Sequence, residues 1–360
     1  MKTDKSIILF IKHANSSFVL TDQKILEQNY QVISFLLDQP KGGLIFLWRL
    51  VVMCWFVFLH SHHTSVIVTW FGDYHSAFLT FLARLLKIKM VIFIGGQETC
   101  CYPELKKGVY RNFLRGNFVK FALRNCSLII LNHSSLMFHE NYYYHPEGKK
   151  DGLRHYIPNL KTNFEIINNG IDTRKFFRAP YIPKNGKQIL TVGTTSSIYD
   201  FYNKGFDLFV QLAERNPHLL FTIIGIKDHY ISLVEEKYKI SKINNLNIIP
   251  SYCPNEVLFE NYNRAKVFIQ ASITEGMPNT LNEAMLCGCI PVGSNVNGIP
   301  DAIGNTGVIV TSRNVEALEA GLYKALSMNT EIDAIKHAMT YYSLESRKIR
   351  TQEIFRRLVY

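Results

Sequence analysis

Short runs of β-branched and aliphatic residues alternate with longer helical stretches along most of the 360-residue chain. In the first half, five such runs are predicted to be strands: residues 6–11, 31–36, 65–70, 89–94 and 127–132. Helices are predicted between them, near residues 43–59, 75–87 and 108–124. Strands that alternate with helices are typical of βαβ units, so this half is predicted to be one doubly wound α/β domain with a parallel sheet.

The pattern is interrupted between Tyr142 and Lys187, where Tyr, Asn, Pro, Gly and Lys are frequent and helical periodicity is weak, as expected of a linker. It then resumes with six further predicted strands: residues 188–193, 220–225, 246–250, 266–272, 289–294 and 307–310. The sequence therefore predicts two doubly wound Rossmann-like domains. Two such domains face to face leave a deep cleft beyond the carboxyl ends of their strands, where ligands bind.

The predicted division of the chain is a first domain over residues 1–178, a second over 179–335, and C-terminal helices over 336–360 that can pack back on the first domain. The stretch from Leu44 to Leu59 is strongly apolar, with Arg49 as its one charge. It is shorter than the roughly 20 residues that a membrane-spanning helix needs. A buried helix is the favoured interpretation, and a membrane-contacting helix is the alternative. The N-terminal segment predicts a first strand and not a signal peptide.

Composition narrows the class of protein. Apolar residues make up 47% of the chain and charged residues 19%, which is typical of a globular protein with a large core and excludes a disordered or fibrous one. The net charge of +11 is uneven, because residues 1–180 hold 22 Lys or Arg against 12 Asp or Glu and the remainder holds 18 against 17. A basic first half indicates an anionic partner, such as a membrane surface or a phosphate-bearing substrate; a generally basic solvated face is the alternative. Nucleic acid is not predicted as a partner, since no nucleic-acid motif is present.

Seven cysteines form an odd set without framework spacing, which fits a reducing cytoplasm. Cys287 and Cys289 could hold a metal in principle, but both lie in an apolar context where small buried thiols are common. No metal site is predicted.

The most informative segment runs from Lys266 to Asp301. A predicted strand is followed by a loop with Glu275 and Gly276, and Pro278 stands where a helix should begin. The free N–H groups of such a helix start, together with the helix dipole, form an anion site. Glu275 and Glu283 can line the same side of the cleft, and carboxylates beside a phosphate site are best matched to hydroxyls. The segment therefore predicts a ligand with a central diphosphate and hydroxyl-rich ends, such as a nucleotide sugar.

Glu275 and Glu283 form an E-x7-E pattern within ASITEGMPNTLNEAMLCGCIPVGS, which resembles the family 4 (group 1) retaining glycosyltransferases of the GT-B fold. Three further segments are similar to motifs of that family: INNGIDTRKF (167–176), ILTVG (189–193) and NKGFDLFV (203–210). In the first half, WFGDYH (70–75) and GGQETCCYPELKKGVY (95–110) look like a bacterial surface-polysaccharide subgroup.

The resemblance implies roles for individual residues. Glu283 would bind the ribose hydroxyls of the donor, Glu275 would lie near the donor sugar as a catalytic residue, and Lys204 would act on the pyrophosphate. Thr194 is a departure, because the family usually has arginine at this position. The remaining donor-binding residues implied are Gly193, Thr194, Gly276, Met277, Pro278, Asn279 and Thr280.

Acceptor-side candidates come from the ends of predicted strands in the first domain. They are His75, Gly95 and Gly96. A helix cap is the alternative for His75, and a tight turn explains the two glycines nearly as well.

The resemblance implies a retaining hexosyltransferase-type enzyme, with an acceptor-binding first domain and a nucleotide-sugar-binding second domain. The expected acceptor is a polysaccharide or a lipid-linked glycan of the cell envelope. No cofactor or metal is expected, because a lysine and a helix start can stabilise the leaving diphosphate. The expected location is cytoplasmic, with peripheral contact to the inner face of the cell membrane. Two alternatives stay open: a sugar-nucleotide epimerase on the same scaffold, and a catalytically degenerate partner subunit, which Thr194 supports.

Overall fold

The computed structural model describes residues 6–38, 42–251 and 253–359. Its strands are β1 (Ile7–Lys12), β2 (Gln31–Leu36), β3 (Thr64–Trp70), β4 (Lys89–Ile94), β5 (Leu128–Leu131), β6 (His139–Asn141), β7 (Lys149–Asp151), β8 (Phe164–Ile166), β9 (Asn185–Thr195), β10 (Leu220–Ile226), β11 (Leu246–Pro250), β12 (Ala265–Gln270), β13 (Ile290–Ser294) and β14 (Val308–Val310). Its helices are α1 (Ser17–Glu27), α2 (Gly43–His60), α3 (Tyr74–Leu85), α4 (Phe113–Asn125), α5 (Leu153–Tyr156), α6 (Ile198–Asn203), α7 (Phe206–Arg215), α8 (Asp228–Tyr238), α9 (Asn255–Arg264), α10 (Asn279–Leu286), α11 (Ile299–Ile303), α12 (Val315–Leu326), α13 (Glu331–Tyr342) and α14 (Leu344–Val359).

The first sheet has the strand order β2-β1-β3-β4-β5-β8, and every pairing in it is parallel. Alternate residues of β1 point to opposite faces, as the period of two in a strand requires. Leu9 and Ile11 pack with the buried faces of α2, α3 and α4, whereas Ile8 and Phe10 pack with α1 and α14. Helices therefore cover both faces of this sheet, as predicted for a doubly wound domain.

The second sheet has the order β11-β10-β9-β12-β13-β14 and is also parallel throughout. Its strands are close to the predicted positions, and most of their residues are buried in one large apolar cluster. The prediction of two Rossmann-like α/β halves is confirmed.

The predicted linker is partly wrong. Strand β8 lies inside it and completes the first sheet by pairing with β5. The short strands β6 and β7 form an antiparallel hairpin that begins just before it. Strand β8 has only three residues, so its periodicity is too short to be recognised in a segment rich in turn-forming residues.

The C-terminal helix α14 packs on the first sheet, although the preceding helix α13 packs in the second domain. Arg347 in α14 forms two hydrogen bonds of 2.7 Å with the carboxylate of Asp22 in α1, and both side chains are almost fully buried. Trp70 donates its indole N–H to the same carboxylate. Phe355 adds apolar contact with the first sheet. The two halves are therefore joined by the end of the chain as well as by residues 167–184.

The prediction that the apolar stretch forms a buried helix is wrong. Helix α2 does span it, but only Leu50, Met53 and Val57 are buried, and most of its large apolar side chains face outward. The residues from Gly43 to His63 are the one segment in the described part of the chain that is long and apolar enough to cross a membrane, and 17% of its most apolar window is buried.

Candidate functional site

A cavity of about 360 Å³ lies between the two domains, at the carboxyl ends of their strands. It is lined by Phe18, Trp70, Phe71, Gly95 and Asn132 of the first domain, by Asn169 of the connection, and by Gly193, Thr194, Lys204 and residues 275–280 of the second domain. The structure thus brings together most of the residues predicted to bind the donor.

The floor of this cavity is the start of helix α10. Strand β12 ends at Gln270, and a loop then carries Glu275 and Gly276 to the helix. Pro278 is the residue that precedes the helix, and its carbonyl accepts the N–H of Asn282 at 3.4 Å. Pro278 therefore stands one position earlier than the predicted first helical residue. The first turn of an α-helix leaves its N–H groups without acceptors inside the helix, so this end is suited to an anion.

Lys204 and Glu275 form an ion pair at the edge of the cavity, with Nζ 2.6 Å from Oε2. Burial by itself would raise the pKa of Glu275, but the ammonium groups of Lys204 and Lys107 lower it below the usual value of a glutamate. Glu275 is therefore ionised at neutral pH, and Lys204 has an anionic neighbour before any ligand arrives.

The position of Lys204 depends on the glycine that follows it. Gly205 has a φ of +73° and lies so close to β12 that a Cβ there would be 2.2 Å from the carbonyl oxygen of Ala271. Only glycine fits this close approach. The KG pair holds the lysine in a turn between α6 and α7, from which its side chain reaches the cavity.

Lys107 reaches the same loop from the first domain and was not among the predicted site residues. Its ammonium donates to the carbonyl of Thr274 at 3.1 Å. Burial lowers its pKa, and the neighbouring Cys100 and Glu275 oppose that shift. Since Thr194 replaces the usual arginine, Lys107 is the second cation that the structure places beside Glu275.

Beside the first cavity lies a second one of about 200 Å³, and the two share Gly95, Glu275 and Gly276. Its other lining residues are Gly96, Gln97, Thr99, Cys100, Lys107, Asp151, Thr274 and Asn297. Hydrogen-bonding groups dominate this set, as expected of a site for hydroxyl-rich ligands. Glu275 is thus at the junction of two neighbouring cavities.

Glu283 does not line either cavity, in contrast to the other predicted donor residues. Its Oε2 accepts a hydrogen bond of 3.0 Å from the hydroxyl of Tyr262. Burial raises the pKa of Glu283 to about 7, and the bond from Tyr262 opposes that shift. Glu283 therefore lies in helix α10 behind the cavity floor, with a carboxyl group that titrates near neutrality.

The three acceptor-side candidates are in different surroundings. His75 is buried with its Nε2 3.0 Å from Thr69 Oγ1, and burial followed by the nearby His13 lowers its pKa to about 4. It lines neither cavity. Gly95 lines both, and Gly96 lines the second with a φ of +128°. Only the two glycines are therefore placed where a ligand can approach.

Gly95 makes room for an aromatic ring. A Cβ at this position would lie 2.2 Å from a ring carbon of Phe71. Phe71 itself has a φ of +68°, which is a strained conformation for a bulky residue, and its ring lies in the cavity wall beside Trp70. The side of the cleft formed by the first domain is therefore partly aromatic.

Two asparagines were also missed by the sequence analysis. Asn132 and Asn169 line the first cavity, are more than nine-tenths buried, and have side-chain oxygens with no hydrogen-bond partner among the described residues. The amide nitrogen of Asn169 donates to the carbonyl of Met277 at 3.1 Å. Asn132 directly follows β5, so its place at a strand end was a usable signal. Both side chains offer unused polar atoms to a ligand.

Among the described residues, no group of three or more His, Cys, Asp or Glu side chains is arranged to hold a metal ion. Cys287 and Cys289 are both buried, and the thiol of Cys289 donates to the carbonyl of Tyr262 at 3.0 Å. These thiols are therefore part of the core of the second domain.

The architecture of two facing Rossmann-like domains is that of the GT-B glycosyltransferases, so the predicted fold class is confirmed. Sucrose-phosphate synthase from Thermosynechococcus elongatus superposes with a TM-score of 0.75 at 14% identity, covering 98% of this chain and 99% of that one. Anabaena HepE in complex with UDP-glucose gives a TM-score of 0.68 at 14% identity, covering 98% and 99%. At these identities the similarity shows the fold alone.

Residues 172–343 match the family "Glycosyl transferases group 1", so this part of the chain is a group 1 glycosyltransferase domain. One of the subunits of the phosphatidylinositol N-acetylglucosaminyltransferase from Arabidopsis thaliana is 25% identical over 170 residues, which cover 45% of this chain and 36% of that protein. The O-antigen chain mannosyltransferase B of Escherichia coli is 35% identical over 75 residues, covering 21% and 20%. The matched region thus spans well under half the length of these relatives.

Proposed function

We propose that this chain is a retaining glycosyltransferase of family 4 that moves a hexosyl group from a nucleotide sugar to a glycan or a lipid-linked acceptor. The observation that carries the proposal is the ion pair of Lys204 and Glu275 at the start of α10, inside the cleft of a GT-B fold. The pair combines a cation for a diphosphate with a carboxylate for sugar hydroxyls at one point. The group 1 match over residues 172–343 supports the same function.

The leaving diphosphate would lie between Lys204 and the first turn of α10. Charge develops on the phosphate oxygen as its bond to the sugar breaks, and fixed positive groups stabilise that charge without reorganising. Lys107 compensates in part for the arginine that Thr194 replaces, because it approaches the same loop from the other domain. The residue that binds the ribose would be Glu283, once its hydrogen bond to Tyr262 is rearranged.

In the proposed reaction, the bond between the anomeric carbon and the phosphate oxygen breaks, and the acceptor hydroxyl oxygen bonds to that carbon from the same face. The hydroxyl proton passes to the leaving phosphate oxygen, so no separate base is needed. Glu275 would hold the donor sugar and stabilise positive charge on it, since its lowered pKa keeps it ionised. Retention is part of this proposal.

No metal or other cofactor is needed in this mechanism, because Lys204 and the helix start provide the positive field. We therefore expect turnover to be unchanged when a chelator is present in excess. Complete loss of turnover that added Mg²⁺ or Mn²⁺ restores would contradict this part of the proposal.

The second cavity is the proposed acceptor site. Gly95 and Gly96 line it on the side of the first domain, and it meets the donor cavity at Glu275. The names of the relatives, which refer to phosphatidylinositol and to O-antigen chains, support a glycan or lipid-linked acceptor. Polysaccharide synthesis for the cell envelope, from the cytoplasmic side, would be consistent with such an acceptor.

One experiment separates this function from its alternatives. Purified protein is incubated with single nucleotide sugars, with and without candidate acceptors, and release of nucleoside diphosphate is measured together with the anomeric configuration of the product. A transferase releases diphosphate with acceptor and retains configuration. An epimerase converts the donor without releasing diphosphate.

The second candidate function is that of a partner subunit without activity of its own. Two observations favour it: Thr194 stands in place of the usual arginine, and the similar protein from Arabidopsis thaliana is named as one subunit of a larger enzyme. In the same experiment such a protein would bind the donor and release no diphosphate on its own.

A further inference from the structure

Three adjacent helices of the first domain present an outward surface that is mainly apolar. Helices α2, α3 and α4 share one face of the first sheet, so their opposite sides point away from the domain. Their exposed large apolar side chains are Leu44, Ile45, Leu47, Trp48, Val51, Trp55, Phe58 and Leu59 in α2, Phe78, Phe81 and Leu85 in α3, and Phe113, Leu114 and Phe121 in α4. We call this set the apolar face. A surface of this extent on a globular domain marks a contact with a membrane or a partner.

The helices are continuous with one another at this face. The ring of Phe46 in α2 contacts Tyr74 in α3, and Tyr74 and Phe78 both contact Phe118 in α4. An apolar groove of about 410 Å³ runs between α3 and α4 and is lined by Ala77, Phe78, Phe81, Asn117, Phe118 and Phe121. The groove is open to the same side and is wide enough for a hydrocarbon chain.

The charges of these helices are all of one sign. Within α2, α3 and α4 the sequence has five basic residues and no Asp or Glu. The basic residues are Arg49, Arg84, Arg115, Lys120 and Arg124. Apolar side chains flanked by cations suit the headgroup region of an anionic membrane. A protein partner has no comparable support, since nothing in these helices calls for an acidic peptide over a lipid headgroup.

Helix α2 cannot cross the bilayer while the domain stays folded. It connects β2 to β3, and both of these strands pair with β1 in the same sheet. A spanning helix would place its two ends, and hence β2 and β3, on opposite sides of the membrane. Leu50, Met53 and Val57 also anchor the inner side of α2 to the core. The helix can therefore only lie parallel to a membrane surface.

We propose that the apolar face inserts into the interfacial region of an anionic lipid bilayer, with α2 lying in the plane of the membrane. The binding does not depend on sugar transfer. Its consequence for a lipid-linked acceptor does rest on the proposed function: α3 begins at Tyr74, directly after the Trp70 and Phe71 that line the cleft. Insertion therefore brings the mouth of the cleft to the membrane surface.

The tryptophans of the chain provide an internal probe. Trp48 and Trp55 lie on the apolar face, whereas Trp70 is buried in the first domain. The full chain is mixed with vesicles of phosphatidylcholine alone or with added phosphatidylglycerol, at rising salt. We expect co-sedimentation and a blue shift of fluorescence that are stronger with the anionic vesicles and weaken with salt, because part of the attraction is Coulombic.

The depth of insertion is measured with lipids brominated near the headgroup or near the end of the acyl chain. Stronger quenching by the shallow bromines is expected for a helix in the plane. Stronger quenching by the deep bromines would overturn the proposal in favour of a spanning segment. Absence of binding to every vesicle type, with the two exposed tryptophans already shielded in a dimer, would overturn it in favour of contact with a second copy.

A matched pair of variants tests the face itself. Leu47→Glu/Val51→Glu keeps both tryptophans and places acids on α2, and the vesicle affinity should fall by more than about tenfold, since each buried aliphatic side chain contributes about a factor of ten. Ile332→Glu/Met339→Glu alters two exposed apolar residues of α13 in the second domain and should leave binding unchanged. Equal loss in both variants would overturn the proposal. Diphosphate release with a water-soluble acceptor, measured for each variant, shows separately whether the proposed activity holds.

Discussion

Lys107 of the first domain donates a hydrogen bond to the main-chain carbonyl of Thr274, 3.1 Å away in the second domain. The next residue in that loop is Glu275, which is also paired with Lys204. A single carboxylate is therefore approached by lysines from both halves of the molecule. Because each lysine contributes to the low pKa of Glu275, closing the cleft and ionising this residue are linked.

Replacing Lys204 should reduce turnover strongly and stability only slightly. Lys204→Ala removes the cation that is proposed to stabilise the leaving diphosphate, and the loss of one such group lowers kcat by about 100- to 1,000-fold. Steady-state rates of diphosphate release are compared with those of Lys187→Ala, an exposed lysine at the start of β9. Near-normal turnover in folded Lys204→Ala protein would remove the central assignment.

Glu283 should make donor binding depend on pH. Its pKa of about 7 means that it is neutral below this pH and ionised above it. A charged carboxylate accepts hydrogen bonds from ribose hydroxyls more strongly, so the KM for the donor should fall as the pH rises through about 7. Glu283→Gln should raise KM and flatten this pH dependence. Glu214→Gln, at an exposed position in α7, should leave the profile as it is.

The same residue should affect stability in the opposite direction. The folded-state pKa of Glu283 is raised from 4.5 to about 7, so its ionisation destabilises the fold as the pH rises between these values. Glu283→Gln removes this cost. The variant should therefore gain stability relative to the unchanged protein between about pH 5 and pH 8, as measured by urea unfolding. A constant difference across that range would contradict the buried carboxyl described above.

Gly95 and Phe71 should be energetically coupled. Gly95→Ala places a methyl group in the space of the Phe71 ring, so the ring must move within the cavity wall. We expect lower turnover and lower thermal stability in the single variant. In a Phe71→Ala background the same change should cost little, giving a coupling of about 1 kcal/mol or more in a double-mutant cycle. Additive effects would show that the two residues do not share this space.

Arg347 should be among the residues on which the first domain most depends. Arg347→Met leaves the buried carboxylate of Asp22 without its cation, and breaking a buried pair from one side costs about 3–5 kcal/mol. Arg350→Ala, one turn along α14 and partly exposed, should cost less than about 1 kcal/mol. Denaturant unfolding of both variants checks the comparison. Similar unfolding midpoints would mean that the buried pair does not anchor α14.

Much of the fold could be predicted from the sequence, because strands and helices in this chain differ clearly in period. Strand β4 was predicted at its observed bounds, and most others within a residue or two. The burial of α2 was predicted wrongly for a physical reason. A helix that is apolar on every side has no amphipathic signal to show which side faces the core, so hydropathy alone could not reveal that only three of its residues are buried.

The second domain's part of the site was accessible to sequence reasoning, whereas the first domain's part was not. Gly276 to Thr280 follow one another in the chain, so a strand, a loop and a helix start were enough to place them together. Lys107 and Thr274 meet although they are 167 positions apart in the sequence, and Asn132 reaches the first cavity from another strand end. Contacts of this kind depend on how the domains pack. No local pattern records them.

The chain crosses between the domains twice, and the two crossings touch. Ile171 donates its N–H to the carbonyl of Tyr342, and Leu344 donates to the carbonyl of Ile171. A Cβ on Gly170 would lie 2.9 Å from the Cα of Leu344, so glycine allows this close passage. Any rotation that opens the cleft must bend both crossings at one place, around residues 170–171 and 342–344. The molecule therefore has a single two-stranded hinge, which restricts domain motion to opening and closing about one axis.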